Sequence, residues 1–234
     1  MFDFKNANEA QREAISTING PVLITAGPGT GKTFTLLQRA IYIIQECGIL
    51  PGQILMATFT DKAAKEIITR ITNELASRNI SVNVNEMYVG TFHSLCLKII
   101  KEHLEYTRLK RNYRLLDTFD QKYLVFQNIS RFREIAGFEL IFPNRGAWRF
   151  SEEICTYVNQ LSEELVSEKQ LISDSNPEIR VLGYVLQIYQ KFLQEENLLD
   201  FATIQTECHR LLVEHPEILW ELQDKIQYLI LDYN

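Results

Sequence analysis

The run Ala26-Gly27-Pro28-Gly29-Thr30-Gly31-Lys32-Thr33 carries the most specific chemical pattern in this 234-residue chain. Small residues let a backbone curl so that successive N–H groups point inward at an anion, and a lysine and a hydroxyl follow at once. That combination suits a nucleoside triphosphate, with loop amides and the N-terminus of the next helix around the phosphates. Lys32 would reach the β and γ phosphates, and Thr33 would offer its hydroxyl to Mg²⁺. The strict P-loop pattern begins with Gly, and here that position is Ala26, another small residue.

Such a loop works only between a strand and a helix, and the flanking sequence supplies candidates for both. Val22-Leu23-Ile24-Thr25-Ala26 is a brief apolar, β-branched run that predicts a buried parallel strand. From Lys32 a helix is expected, with Leu36, Leu37, Ala40, Ile41 and Ile44 on one side and a stop near Gly48 and Pro51. The grammar repeats at Ile54–Phe59 (strand) and Asp61–Leu75 (helix), and again at Met87–Thr91 (strand) and Ser94 to about Leu104 (helix). Strand–helix alternation implies a parallel, doubly wound α/β core. Residues 8–18 read as an opening helix capped by Asn8, and Tyr228–Asp232 as one more buried strand ending in an acid.

Between about Tyr106 and Asn197 the pattern turns to amphipathic helices, such as 121–132, 151–165 and 179–195, and 198–222 looks helical again. The charge follows the same division. Residues 1–97 are neutral, 98–149 carry +5 and 150–234 carry −11, within a net charge of −6. Hydrophobic residues make up 46% and charged residues 23%, the mixture of a globular protein. No apolar run approaches the roughly 18 residues of a membrane span, and the start Met1-Phe2-Asp3-Phe4-Lys5 lacks a signal peptide's blocks, so an intracellular, cytoplasmic protein is expected. Cys47, Cys96, Cys155 and Cys208 are widely separated, and Cys208-His209 has no second pair at zinc-binding spacing, so reduced thiols are expected.

In order from Asn8 to Asp232 the chain resembles the UvrD/Rep family of superfamily 1 DNA helicases. Asn8–Ile15 is similar to the family's Q motif, which implies that Gln11 hydrogen-bonds adenine; a side-chain amide can donate and accept on one base edge. Thr58–Glu66 is similar to motif Ia, implying single-stranded DNA contacts from Phe59, Thr60 and Lys62. Asp61 stands there where relatives usually carry Asn, and a carboxylate repels phosphate. Gly90–Cys96 resembles motif Ib, implying that Thr91, Phe92 and His93 line the DNA track. Leu199-Asp200-Phe201 resembles the return from a helical insert to the first motor domain.

The resemblance implies a P-loop NTPase (RecA-like) parallel-sheet core, domain 1A over 1–105 and 198–234, with an inserted all-helical subdomain 1B over 106–197. It implies ATP and Mg²⁺ as cofactors, with Thr33 and Asp232 toward the metal and Lys32 beside them in catalysis. Single-stranded DNA and duplex junctions are the implied partners, with Lys98, Lys101, Arg108, Lys110, Arg111 and Arg114 as candidate phosphate contacts. Family members follow the strand at 228–231 with Asp-Glu-x-Gln-Asp, whereas Asp232 is followed here by Tyr233 and Asn234. The expectation is therefore the N-terminal portion of a DNA helicase of 3′-to-5′ polarity, working on nucleoid DNA in repair, recombination or replication, and inactive as an isolated piece. The alternatives are the helicase-like motor of a nuclease complex and a non-catalytic P-loop DNA-binding module.

Overall fold

The computed structural model describes residues 2–143 and 146–232. They form two compact units, 1–95 with 217–234 and 96–216.

The first unit opens with α1 (Glu9–Ser16), whose N-cap Asn8 accepts from the Gln11 N–H while the Gln11 side chain accepts from the Asn8 N–H, a reciprocal capping box. α2 (Lys32–Cys47) begins after Gly31 and ends at Gly48, both left-handed, as glycine at helix ends allows. β1 (Ile54–Ala57), α3 (Asp61–Ser77) and β2 (Tyr88–Gly90) follow. α4 (Phe92–Glu102) then leads out of the unit, and α11 (Pro216–Lys225) returns to it ahead of β5 (Tyr228–Leu231). The sheet is parallel, ordered β2-β1-β5, and Ala57 pairs with both Gly90 and Leu231 at its carboxyl edge. Ile15, Ile41 and Ile43 of α1 and α2 share one core with Ile54 and Met56 of β1, Ile67 and Ile71 of α3 and Ile230 of β5. Parallel strands need this cover because their faces are apolar.

The expected strand at Val22–Ala26 is not formed. The segment joins no ladder, and Leu23 is 92% exposed. β-branched composition favours a pleated, half-buried surface, but pairing is what makes a strand. Pro21 and Pro28 bracket the run, and proline has no backbone donor for a ladder at either position. The sequence signal here was composition without a bonded neighbour.

In the second unit, α5 (Thr118–Gln127), α6 (Ile129–Arg133), α7 (Ala147–Glu163), α8 (Glu168–Ile172), α9 (Pro177–Glu195) and α10 (Phe201–Glu214) supply most of the structure. Val125, Phe132, Phe150, Ile154, Val185 and Tyr189 are among its buried core residues. The helical pattern at 121–132 breaks at Asn128, which closes α5 and precedes α6. The pattern at 198–222 contains β4 (Leu198–Asp200) and a break before Pro216, where proline at the start of α11 separates it from α10. β4 pairs in parallel with β3 (Arg114–Leu116), a short strand that departs from the all-helical expectation for 106–197. Among the described residues no helix is long and apolar enough to cross a membrane.

Candidate nucleotide and nucleic-acid site

The loop before α2 has the backbone a phosphate cradle needs. Gly29 (φ 75°) and Gly31 (φ 86°) lie in the left-handed region that side chains disfavour. The Thr30 N–H and hydroxyl both donate to the Gly27 carbonyl, at 3.4 and 2.8 Å, which closes the turn. Gly31 provides no side-chain cap and the first turn of α2 contains no acidic residue, so nothing on the helix competes with an anion for its N-terminal amides. Among the described residues no acidic side chain lies within ion-pair distance of Lys32, and Lys32 and Thr33 are half-buried at the mouth of the helix. Gly27, Pro28, Gly29 and Thr30 are exposed, and Ala26 is half-buried. This donor set fits a polyphosphate.

Gln11 joins the loop. Its Nε2 donates to the Thr30 carbonyl at 3.1 Å, and a Cβ on Gly31 would come within 2.9 Å of that nitrogen. The α1 capping box thus fixes the side chain that the sequence assigns to the base, and places it against the turn assigned to the phosphates. The sequence offered Gln11 as a base reader; its bond to the loop carbonyl had no signal in the pattern.

A second group of residues gathers at the carboxyl edge of the sheet, where open α/β sheets place their ligands. The Thr58 N–H donates to Gly90 O at 2.9 Å, and the Asp232 N–H donates to Ala57 O at 2.8 Å, so the chain leaves all three strands side by side. Thr60 caps α3, its Oγ1 accepting from the Ala63 N–H at 3.1 Å. Thr91 Oγ1 accepts from the Ser94 N–H at 3.2 Å and donates to Asp61 Oδ1 at 3.5 Å. The unusual Asp61 is therefore occupied by a neighbouring hydroxyl. A Cβ on Gly90 would run into the Ser94 hydroxyl, so only glycine allows α4 this close to β2. Phe59 is 76% exposed and Phe92 59%, which removes core packing as the role of either ring. Lys62 is exposed and His93 half-buried. The structure thus brings together Phe59, Thr60, Lys62, Thr91, Phe92, His93 and Asp232 at one edge, and Gln11 with 27–31 at the head of α2. Tyr233 and Asn234 lie outside the described residues.

The basic segment divides in its use. Arg108 is turned inward, pairing with Glu207 at 3.2 Å and donating to the carbonyls of Leu193 and Leu198 at 3.3 and 3.1 Å. Burial lowers its pKa and the Glu207 carboxylate opposes that shift. It is a clamp within the second unit, unavailable as a phosphate contact. Lys101, Lys110, Arg111 and Arg114 are exposed. Asp200 is also structural: it accepts from the Thr203 N–H at 2.7 Å as the α10 N-cap, from Gln121 Nε2 at 3.2 Å, and from the Tyr189 hydroxyl. Burial, then the Asp200 carboxylate, raises the Tyr189 pKa well above its ordinary value.

A parallel sheet with ligand-bearing turns at its carboxyl edge and an uncapped, glycine-led helix carrying Lys32 and Thr33 define a P-loop α/β protein. The chain belongs to the UvrD/REP helicase N-terminal domain family, whose model matches residues 7–233. It is 35% identical over 228 residues to the ATP-dependent DNA helicase Rep of Buchnera aphidicola subsp. Baizongia pistaciae, covering 96% of this chain and 31% of that protein. Identity is 31% over 229 residues to the ATP-dependent DNA helicase PcrA of Staphylococcus epidermidis (97% of this chain, 29% of that protein). It is 32% over 228 residues to DNA helicase II of Rickettsia typhi (96% and 32%). The chain spans about a third of the length of these curated relatives.

Proposed function

We propose that these residues form the ATP-binding and strand-contacting portion of a DNA helicase that moves 3′ to 5′ on single strands and acts at duplex junctions on nucleoid DNA. The observation that carries this is the carboxyl edge itself, where two exposed aromatic rings, Phe59 and Phe92, stand beside hydroxyls and a lysine on the turns that follow adjacent strands. Exposed rings with polar neighbours suit unpaired bases, since every base has a stacking face.

Lys32 and the amides of 27–31 would hold the triphosphate, Gln11 the adenine, and Thr33 with Asp232 the Mg²⁺. Bound there, Mg²⁺ offsets the charge on the phosphate oxygens. The chain's own contribution is positioning: left-handed glycines aim the amides, and α2 directs its positive end at the phosphates. Residues 1–105 and 198–234 are proposed as the motor domain and 106–197 as the helical subdomain.

Fluorescence anisotropy with a labelled oligothymidylate tests the DNA assignment. Wild-type binding should weaken as salt rises, and Phe59→Ala with Phe92→Ala should reduce affinity about tenfold or more. Affinity unchanged in the double variant would overturn the assignment of this edge.

A further inference from the structure

We propose that four exposed rings in the second unit, Phe119, Tyr123 and Phe126 of α5 and Trp148 of α7, form a stacking platform for bases of single-stranded DNA. The proposal rests on the single-strand reading above and adds a separate contact to it.

The three α5 rings are spaced i, i+4, i+7, so they share one helix face. That pattern ordinarily marks a core stripe, yet Phe119 is 62% exposed and Trp148, the largest of the four, 39%. The rings touch in series. Phe119 and Tyr123 have centroids 6.1 Å apart and planes 8° from parallel, and Tyr123 and Phe126 are 6.5 Å apart and 18° from parallel. Trp148 closes the group, 5.9 Å from Phe119 and 5.7 Å from Phe126. Buried rings of the same unit mostly meet steeply, as Phe132 with Phe192 at 69° and Phe142 with Tyr157 at 90°. Steep contacts fill a core. Near-parallel rings in solvent offer flat faces in a common direction, which suits planar bases better than the irregular side chains of a protein partner.

The electrostatics agree with a polyanion and limit its share of the binding. Residues 98–149 carry +5. Trp148 lies in the first turn of α7, which has no acidic residue there and no side-chain cap. The flanking cations, Lys122 and Arg149, are partly neutralised by Glu152 at 3.2 Å and Glu153 at 3.7 Å. Stacking therefore carries this contact, and its salt dependence is shallow.

The chain has two tryptophans, so Trp220→Phe isolates Trp148 as a reporter. In that background, oligothymidylate should quench Trp148 emission saturably, and an abasic deoxyribose-phosphate oligomer of equal length should not. Phe119→Leu with Tyr123→Leu keeps apolar bulk and removes the rings; it should raise the quenching midpoint at least about tenfold with the melting temperature unchanged. Equal quenching by the abasic oligomer, or an unshifted midpoint in the double variant, would overturn the platform. Anisotropy that reports binding of the labelled strand while Trp148 emission stays constant would overturn the platform and leave the carboxyl-edge reading standing. Absence of binding by both readouts would overturn both. Loss of quenching to an apolar peptide in place of DNA would assign the surface to a protein partner and also overturn the proposal.

Discussion

The Gln11 side-chain nitrogen donates to the Thr30 carbonyl at 3.1 Å, tying the residue assigned to the base to the turn assigned to the phosphates. The same side chain's oxygen accepts from the Asn8 N–H at 3.0 Å, so one amide is held at both ends. Gln11→Ala should lose the discrimination of adenine from guanine nucleotides and destabilise the chain by about 1 kcal/mol through the broken cap. Competitive displacement of a fluorescent ATP analogue by ATP and GTP, beside a urea titration, measures both. Unchanged selectivity would remove Gln11 from the base site.

Tyr189 and Gln121 both donate to the buried Asp200, and neither donor has solvent to replace it. Tyr189→Phe should destabilise the second unit by about 1–3 kcal/mol, the cost of leaving a buried acceptor short of a partner. Denaturant unfolding checks this, and nucleotide affinity should not move.

Glu74 gives the first unit a pH dependence. Burial alone would raise its pKa, yet hydrogen bonds from Lys5 and Arg78 outweigh burial and hold the carboxyl below the ordinary glutamate range. The unfolded chain then binds its proton at higher pH than the folded chain does. The contribution is present above the ordinary glutamate value of about 4.3 and is lost as pH falls through the lower folded value. Glu74→Gln should flatten that part of the acid limb in urea-midpoint measurements, and an identical acid limb in the variant would contradict the assignment.

How far the sequence could be read depended on whether a feature was local or needed a distant partner. The helix at 32–47 was legible because its glycines, apolar stripe and terminator sit within the segment itself. The parallel sheet was legible from alternation. Val22–Ala26 misled because its composition resembled a strand and its pairing, a non-local matter, could not be read. Phe119, Tyr123 and Phe126 have the spacing of a core stripe, and only the fold shows that this face meets solvent. Arg108 looked like any other cation of the basic run; Glu207, 99 residues away, decides its role. The phosphate loop was the most legible site because its residue types and the order of its elements constrain one another. The exposure of Phe59 was a question that only tertiary structure answers.

The claim on which the functional reading turns is that the loop and Lys32 hold a triphosphate. Isothermal titration of the chain with ATP and Mg²⁺, wild type against Lys32→Ala, tests it most directly. Saturable binding should weaken by about ten- to a hundredfold on loss of the charged donor, with thermal stability unchanged. Equal affinity in the folded variant would contradict the account.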